Sequence, residues 1–468
     1  MAGTDNMRFE QRMSDADALM WRNEKDPMLR STIVAVAILD RSPDPALVAA
    51  RIERTTRAVP RLRQRVVHSP LSLAPPRWEV DPNFDLRYHL RWFRAPGDGG
   101  LDTVLRMAEP MAMQGFDRAR PLWEFAVVDG LAEGRAASIL KLHHSISDGV
   151  GAVQIAMNLF DIERSSPADG EPMPDAPPVD VLAMPARMRD ALDHERRRLL
   201  GIAKRLPATL GRAAKAASSD PIGSSRAVAE TAGSMSRMFG PATRPVSPLM
   251  TGRSLSVHFE ALSEPLDELK AAARRAGGRL NDAFVAGAVG GLARYHEHHG
   301  ADVTELRMTM PINVRGEDKA DLAGNAFAPA RMLVPMDIHD PVERMRAISA
   351  LVGRQRAEPA MAVVDPMALV VHRLPTSVST ALFQAMLRGQ DFVTSNVPGV
   401  PIPVFFAGSS VEAQFPFGPM SGAAMNLTLL SYQDQVHIGV NTDPAAVPDP
   451  DVLRSCLVDS YAEICKLA

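Results

Sequence analysis

The stretch Lys141-Leu142-His143-His144-Ser145-Ile146-Ser147-Asp148-Gly149 gathers the residue types that could do chemistry in this chain. It sets two adjacent imidazoles at the end of an apolar run and just ahead of an Asp-Gly pair, so a proton acceptor, a charge and a chain reversal lie together. A histidine with a pKa near the working pH is the usual general base. Two histidines and an aspartate are also the beginning of a metal site, but a metal needs further ligands, and no cluster around the motif supplies them. An isolated histidine can also be a satisfied core or surface residue, and the residue types alone leave the general-base reading beside it.

The elements that must hold these residues can be read on either side. Pro121-Leu122-Trp123-Glu124-Phe125-Ala126-Val127-Val128 has a strand-like pattern running into the turn signal Asp129-Gly130, and Ala137-Ser138-Ile139-Leu140-Lys141-Leu142 resumes it. The two runs predict a hairpin whose return strand delivers the histidines. Neighbours on a strand point to opposite faces, which places His144 with Leu140 and Leu142 and His143 with Ile139 and Lys141. The apolar company favours His144 as the side chain facing a lipid-lined cavity. Beyond Gly149, Val150, Val153, Met157 and Phe160 recur at helical spacing, so the motif sits on a strand-to-helix turn.

The chain has 468 residues, enough for about two or three domains at the usual domain size. Hydrophobic residues make up 46% and charged residues 23%, the balance of a soluble globular protein. A net charge of -3 gives no global drive toward nucleic acid. Cys456 and Cys465 match no redox or zinc spacing. The N-terminus lacks the apolar core of a secretory signal, and no run of about 18 apolar residues suggests a membrane span. The expectation is a cytoplasmic protein that touches a membrane, if at all, peripherally from the inner face or at the surface of lipid inclusions.

Along the rest of the chain, Thr32 to Leu39 reads as a buried strand. Residues 1–180 form one predicted α/β domain, 181–250 a basic helical crossover, and 251–468 a second α/β domain. The crossover carries Arg187, Arg189, Arg196, Arg197, Arg198, Lys204, Arg205, Arg212 and Lys215 interleaved with Leu192, Leu199 and Leu200. It reads equally as a segment lying on anionic lipid or as a solvated connector. In the last third, Asn281 is placed as an N-cap and Asp282 as a first-turn anion ahead of a long apolar helix. Phe392 to Val397 is a strand ending in a Pro398-Gly399 turn from which Val404-Phe405-Phe406 returns, and Met425–Tyr432 with Val436–Asn441 is another hairpin.

Taken together, the motifs resemble a known family. His143-His144-Ser145-Ile146-Ser147-Asp148-Gly149 is similar to the HHxxxDG motif of the CoA-dependent acyltransferase superfamily. Pro121-Leu122-Trp123, Asn281-Asp282 and Thr394-Ser395-Asn396-Val397-Pro398-Gly399 resemble the PLW, ND and SNVPG motifs of bacterial wax ester synthase/diacylglycerol acyltransferases, in the same order. Ser14-Asp15-Ala16-Asp17-Ala18-Leu19-Met20-Trp21 is a looser match to that family's start.

The resemblance implies an α/β (α+β) fold of two similar chloramphenicol-acetyltransferase-like domains, each a mixed sheet flanked by helices, with a tunnel at their interface. It implies an O-acyltransferase that moves a long-chain acyl group from acyl-CoA to diacylglycerol or a fatty alcohol. His144 would be the general base and His143 a supporting residue. Asp148 would be a loop anchor paired to an arginine, assigned here to Arg315, with Gly149 beside it against substrate. Pro121, Leu122 and Trp123 would bound the acyl channel, although Trp123 reads equally as plain core. Asn281 and Asp282 would lie at the substrate, and Ser395 and Asn396 would contact CoA or the oxyanion. No metal and no cofactor beyond acyl-CoA as co-substrate is implied, and the partners are acyl-CoA and a lipid alcohol. The alternatives are acyl transfer to an amine or carrier-bound acceptor, and a non-catalytic coat on lipid inclusions.

Overall fold

The computed structural model describes residues 8–9, 11–72, 74–97, 99–146, 155–165, 172–240, 242, 244–313, 322–323, 327–358, 371, 374, 376–387 and 389–468. Its centre is a pair of mixed six-stranded sheets. The β-branched run Thr32–Leu39 lies inside the first, flanked by Ala136–His143 and Ser409–Phe417. Ala136–His143 pairs in turn with Trp123–Asp129, and Leu90–Arg94 closes that edge in parallel. The predicted hairpin is present, with Trp123 opposite Leu142 and Val128 opposite Ala137. Its loop reverses through Gly130 and Gly134, both at positive φ (79° and 72°), a conformation that glycine adopts without steric cost.

The second sheet runs Phe327–Pro335, Glu305–Asn313, Phe392–Val397, Met425–Tyr432, Gln435–Thr442, His258–Pro265. Here too the predicted hairpin forms, Met425 opposite Thr442 and Tyr432 opposite Gln435. The apolar helix Leu280–His298 packs beneath this sheet, and Phe284, Val285 and Val289 are fully buried. Small residues let the C-terminal helix Pro450–Cys465 come close: a Cβ on Gly287 would lie 2.1 Å from the Tyr461 ring.

The halves are not consecutive in the way the 251 boundary implies. Phe405–Phe406 does not return along Phe392–Val397; it pairs with Ser409–Phe417, which joins the first sheet beside Thr32–Leu39. An apolar alternation records which face of a strand is buried and says nothing about which sheet edge it joins. Burial decides here, since Phe406 sits in the first core with its ring 5.3 Å from that of Phe125. The exchanged strand also carries the contact between sheets. The Phe415 ring lies 5.0 Å from His437, and a Cβ on Gly439 would fall 1.9 Å from the Pro416 carbonyl oxygen.

The basic crossover begins with a helix, Met184–Ser219, bound to the first half by ion pairs. Asp190 takes Arg12 and Arg77, Arg187 reaches Glu79, and Arg198 reaches Asp15. Part of its charge is therefore used within the molecule, which the solvated-connector reading does not anticipate. Among the described residues, no helix is long and apolar enough to cross a membrane.

Candidate active site

The last rung between Thr32–Leu39 and Ala136–His143 sets Thr32 opposite His143. The His143 N–H donates to the Leu122 carbonyl (3.0 Å), and the His144 N–H donates to the Ser31 carbonyl (2.8 Å). Beyond that bond the strand stops, and His144-Ser145-Ile146 forms a 3₁₀ turn. Strand parity therefore ends at His143. The pleat thus does not carry the expectation that His144 shares a face with Leu140 and Leu142.

The two imidazoles differ sharply in environment. His143 has no exposed side-chain surface, and its ring is held edge-on by Trp21 at 5.5 Å and Phe116 at 5.9 Å. Its Nδ1 accepts the Ser145 backbone N–H at 3.0 Å and lies 2.6 Å from Ser145 Oγ. With Nδ1 an acceptor, the proton of the neutral ring belongs on Nε2, which faces Glu24 Oε1 at 2.9 Å. Burial alone would raise the Glu24 carboxyl, but the His143 contact, the Ser31 N–H and Arg118 together hold it below its ordinary value. His144 is only half-buried.

Close by, Lys141 is fully buried, with Nζ 3.1 Å from Glu124 Oε1 and 4.4 Å above the Phe116 ring. Burial draws its ammonium below the ordinary lysine value against the opposing pull of Glu124. A cleft between the halves opens on this side of the first sheet, lined by Thr32, Val34, Met113, Val257, Phe417 and Asn441 among others.

The other predicted site residues are dispersed. Ser147, Asp148, Gly149 and Arg315 lie outside the described residues. Pro121, Leu122 and Trp123 are buried, and Trp123 belongs to the first core. Its indole N–H donates to the Leu62 carbonyl (2.7 Å) and its ring stacks on His89 at 4.5 Å, so the plain-core reading describes it.

Asn281 is not the N-cap: the helix starts at Leu280, and Asp282 reaches back to accept the Arg279 N–H at 2.8 Å. An acid at the third helical position is placed to satisfy the cap's own amide, which moves the start two residues earlier than expected. Asn281 Nδ2 instead lies 3.6 Å from Met310 Sδ on the second sheet.

Ser395 pairs with Thr428, and Val393, on the same face, pairs with Asn426. Asn426 is opposite Asn441, which lines the cleft, so Ser395 belongs to the cleft face of the second sheet. Asn396, one residue on, belongs to the opposite face and is exposed, so the two cannot hold one ligand with their side chains.

Glu24, Ser31 and Phe116 escaped the sequence reading. Each lies far from the histidines in sequence, and a lone Glu or Phe gives no periodic signal. Among the described residues, no group of three or more His, Cys, Asp and Glu is placed to hold a metal.

Two family descriptions match the chain: the wax ester synthase/diacylglycerol acyltransferase catalytic domain over residues 13–284, and the WS/DGAT C-terminal domain over residues 323–465. A Mycobacterium tuberculosis protein named "Putative diacyglycerol O-acyltransferase" is 36% identical over 99% of this chain and 94% of its own. Another of that name and organism is 30% identical over 93% of each. Among solved structures, the wax ester synthase/diacylglycerol acyltransferase from Marinobacter aquaeolei VT8 superposes with a TM-score of 0.62 at 22% identity, over 97% of this chain and 98% of that one. The first condensation domain of the calcium-dependent antibiotic synthetase superposes with a TM-score of 0.63 at 16% identity, over 98% and 97%. These two likenesses establish the two-sheet fold.

Proposed function

The chain belongs to the wax ester synthase/diacylglycerol acyltransferase family, and from that premise we propose that it moves a long-chain acyl group from acyl-CoA to the hydroxyl of diacylglycerol or a fatty alcohol, with His144 as general base. Acyl-CoA-dependent O-acyl transfer is the activity of the family. The choice of acceptor and the base are this chain's own questions.

The observation that carries the base assignment is the contrast within the histidine pair. His143 is fully buried with both ring nitrogens facing protein partners, whereas His144 opens the turn, half-buried, at the end of the strand. A proton acceptor must meet its substrate, and only the second ring has surface to do so. His144 takes the proton from the acceptor hydroxyl as that oxygen attacks the thioester carbonyl. The tetrahedral intermediate collapses with cleavage of the C–S bond, and the leaving thiolate receives the proton from the imidazolium. Acyl exchange between thioester and ester asks for no redox group and no covalent enzyme intermediate. Ser395, on the cleft face, is the candidate polar contact to CoA or the oxyanion.

The test is release of free CoA thiol from palmitoyl-CoA with hexadecanol, dioleoylglycerol or an amine, in the presence of EDTA. Turnover with an alcohol supports the reading. Turnover with amines alone, or with no acceptor at all, contradicts it.

The same reading places the protein at a lipid surface. On the helix Met184–Ser219, Leu192, Leu199 and Leu200 are exposed on one face together with Arg189 and Arg196. Apolar side chains beside arginines suit the headgroup boundary of an anionic membrane. Co-sedimentation with phosphatidylglycerol vesicles that is lost in Leu199→Glu/Leu200→Glu would support this, and equal binding by the variant would contradict it.

A further inference from the structure

Glu24 lies at the end of the helix Asp15–Asn23, remote in sequence from the histidine motif and nearly buried, its side chain 7% exposed. A carboxylate in such a place is costly unless its oxygens are engaged. Here one oxygen meets two partners. Oε1 accepts the Ser31 backbone N–H at 2.9 Å and lies 2.9 Å from His143 Nε2.

Both partners lead to His144. The carbonyl of Ser31 receives the His144 N–H, and the far side of the His143 ring receives the Ser145 N–H. The residues immediately before and after His144 are thus tied to one imidazole, and His144 itself to the residue that Glu24 also holds. The ring cannot flip without cost: turning it would withdraw Nδ1 from the Ser145 amide and move Nε2 away from the carboxylate that it faces at 2.9 Å. Trp21 and Phe116 limit it from the sides, and Arg118, over the Trp21 ring at 4.3 Å, supports the anionic form of Glu24.

We propose that Glu24 is a positioning residue for acyl transfer: through His143 and Ser31 it fixes the turn that aims His144. The inference rests on His144 being the base. Glu24 touches neither substrate nor the reacting atoms, so its effect falls on kcat, since misaiming a base slows the proton-transfer step and leaves acyl-CoA binding intact. An amide at the same position keeps an acceptor oxygen of the same reach, so Glu24→Gln retains part of what Glu24→Ala loses.

The experiment measures kcat and KM for CoA release from palmitoyl-CoA with hexadecanol or dioleoylglycerol as acceptor, with thermal melts, for Glu24→Ala, Glu24→Gln, His143→Ala, the double variant Glu24→Ala/His143→Ala, and His144→Ala. All assays run well below the lowest melting temperature. The expected result is a fall in kcat of about tenfold or more for Glu24→Ala at nearly constant KM, with at least about threefold recovered in Glu24→Gln. The double variant should lose clearly less than the product of the two single losses, because Glu24 and His143 share one route to the turn while the Ser31 contact belongs to Glu24 alone. Wild-type kcat in Glu24→Ala, or independent multiplicative losses in the double variant, would overturn the proposal while leaving an inactive His144→Ala to uphold the base. If His144→Ala remains active, both fall. Should Glu24→Ala not fold, Glu24→Gln with His143→Ala completes the same cycle on a side chain of unchanged size.

Discussion

The Trp123 indole N–H donates to the Leu62 carbonyl across 2.7 Å, and the carbonyl of Trp123 itself lies 2.7 Å from His89 Nδ1. A motif residue that the family resemblance assigns to an acyl channel is thus bonded into the first core at both ends. Trp123→Ala should cost about 3–5 kcal/mol, the usual price of emptying a large aromatic site. Trp123→Phe should be milder, removing the indole donor but leaving the preference among acyl-CoA chain lengths unchanged. Urea unfolding and a chain-length series measure the two effects. A shifted chain-length optimum at wild-type stability would return Trp123 to the channel.

His437 yields a pH prediction. It is almost wholly buried, with Nδ1 2.8 Å from Ser263 Oγ, and burial pushes its pKa down to about 4, partly offset by Asp434. A base whose folded pKa is depressed binds its proton more readily when unfolded. Its contribution to stability is therefore complete above about pH 6.5 and is lost as the pH falls toward 4, a change on the order of 3 kcal/mol. Denaturation at pH 7 and at pH 4.5 should show wild type losing clearly more stability than His437→Phe. Equal losses would mean that the ring charges freely in the fold.

The connector helix depends on Arg12, which donates to Ser69 Oγ and the Pro75 carbonyl and pairs with Asp190. Arg12→Ala leaves those acceptors short of a donor in a half-buried place and should cost about 1–3 kcal/mol. Hydrogen exchange in the helix Met184–Ser219 should rise more than in the sheets. Uniform protection across the chain would show that the helix is held by other contacts.

How much of this the sequence carried can be judged from particular residues. The hairpin of Trp123–Asp129 with Ala136–His143 was legible because β-branched and aromatic runs flank a glycine turn. The strand Ser409–Phe417 was not assignable, since its alternation would fit an edge of either sheet. At the site, the histidine motif was recognisable as a string, but strand parity does not reach His144, which lies one residue past the strand end, where a hydrogen bond to Ser31 starts a turn. Asn281 was misplaced because a capping residue looks the same two positions away, and Asp282 decides the start by bonding Arg279. Glu24 was invisible for a simpler reason: His143 is brought to it only by the pairing of Thr32–Leu39 with Ala136–His143.

The central claim is that the half-buried imidazole of the pair is the base, and the most direct test is CoA release by purified His144→Ala at saturating palmitoyl-CoA and dioleoylglycerol or hexadecanol. A fall of about a hundredfold or more in kcat, with the wild-type melting temperature and circular dichroism retained, is the predicted result. Turnover within a few-fold of wild type in a folded His144→Ala would contradict it.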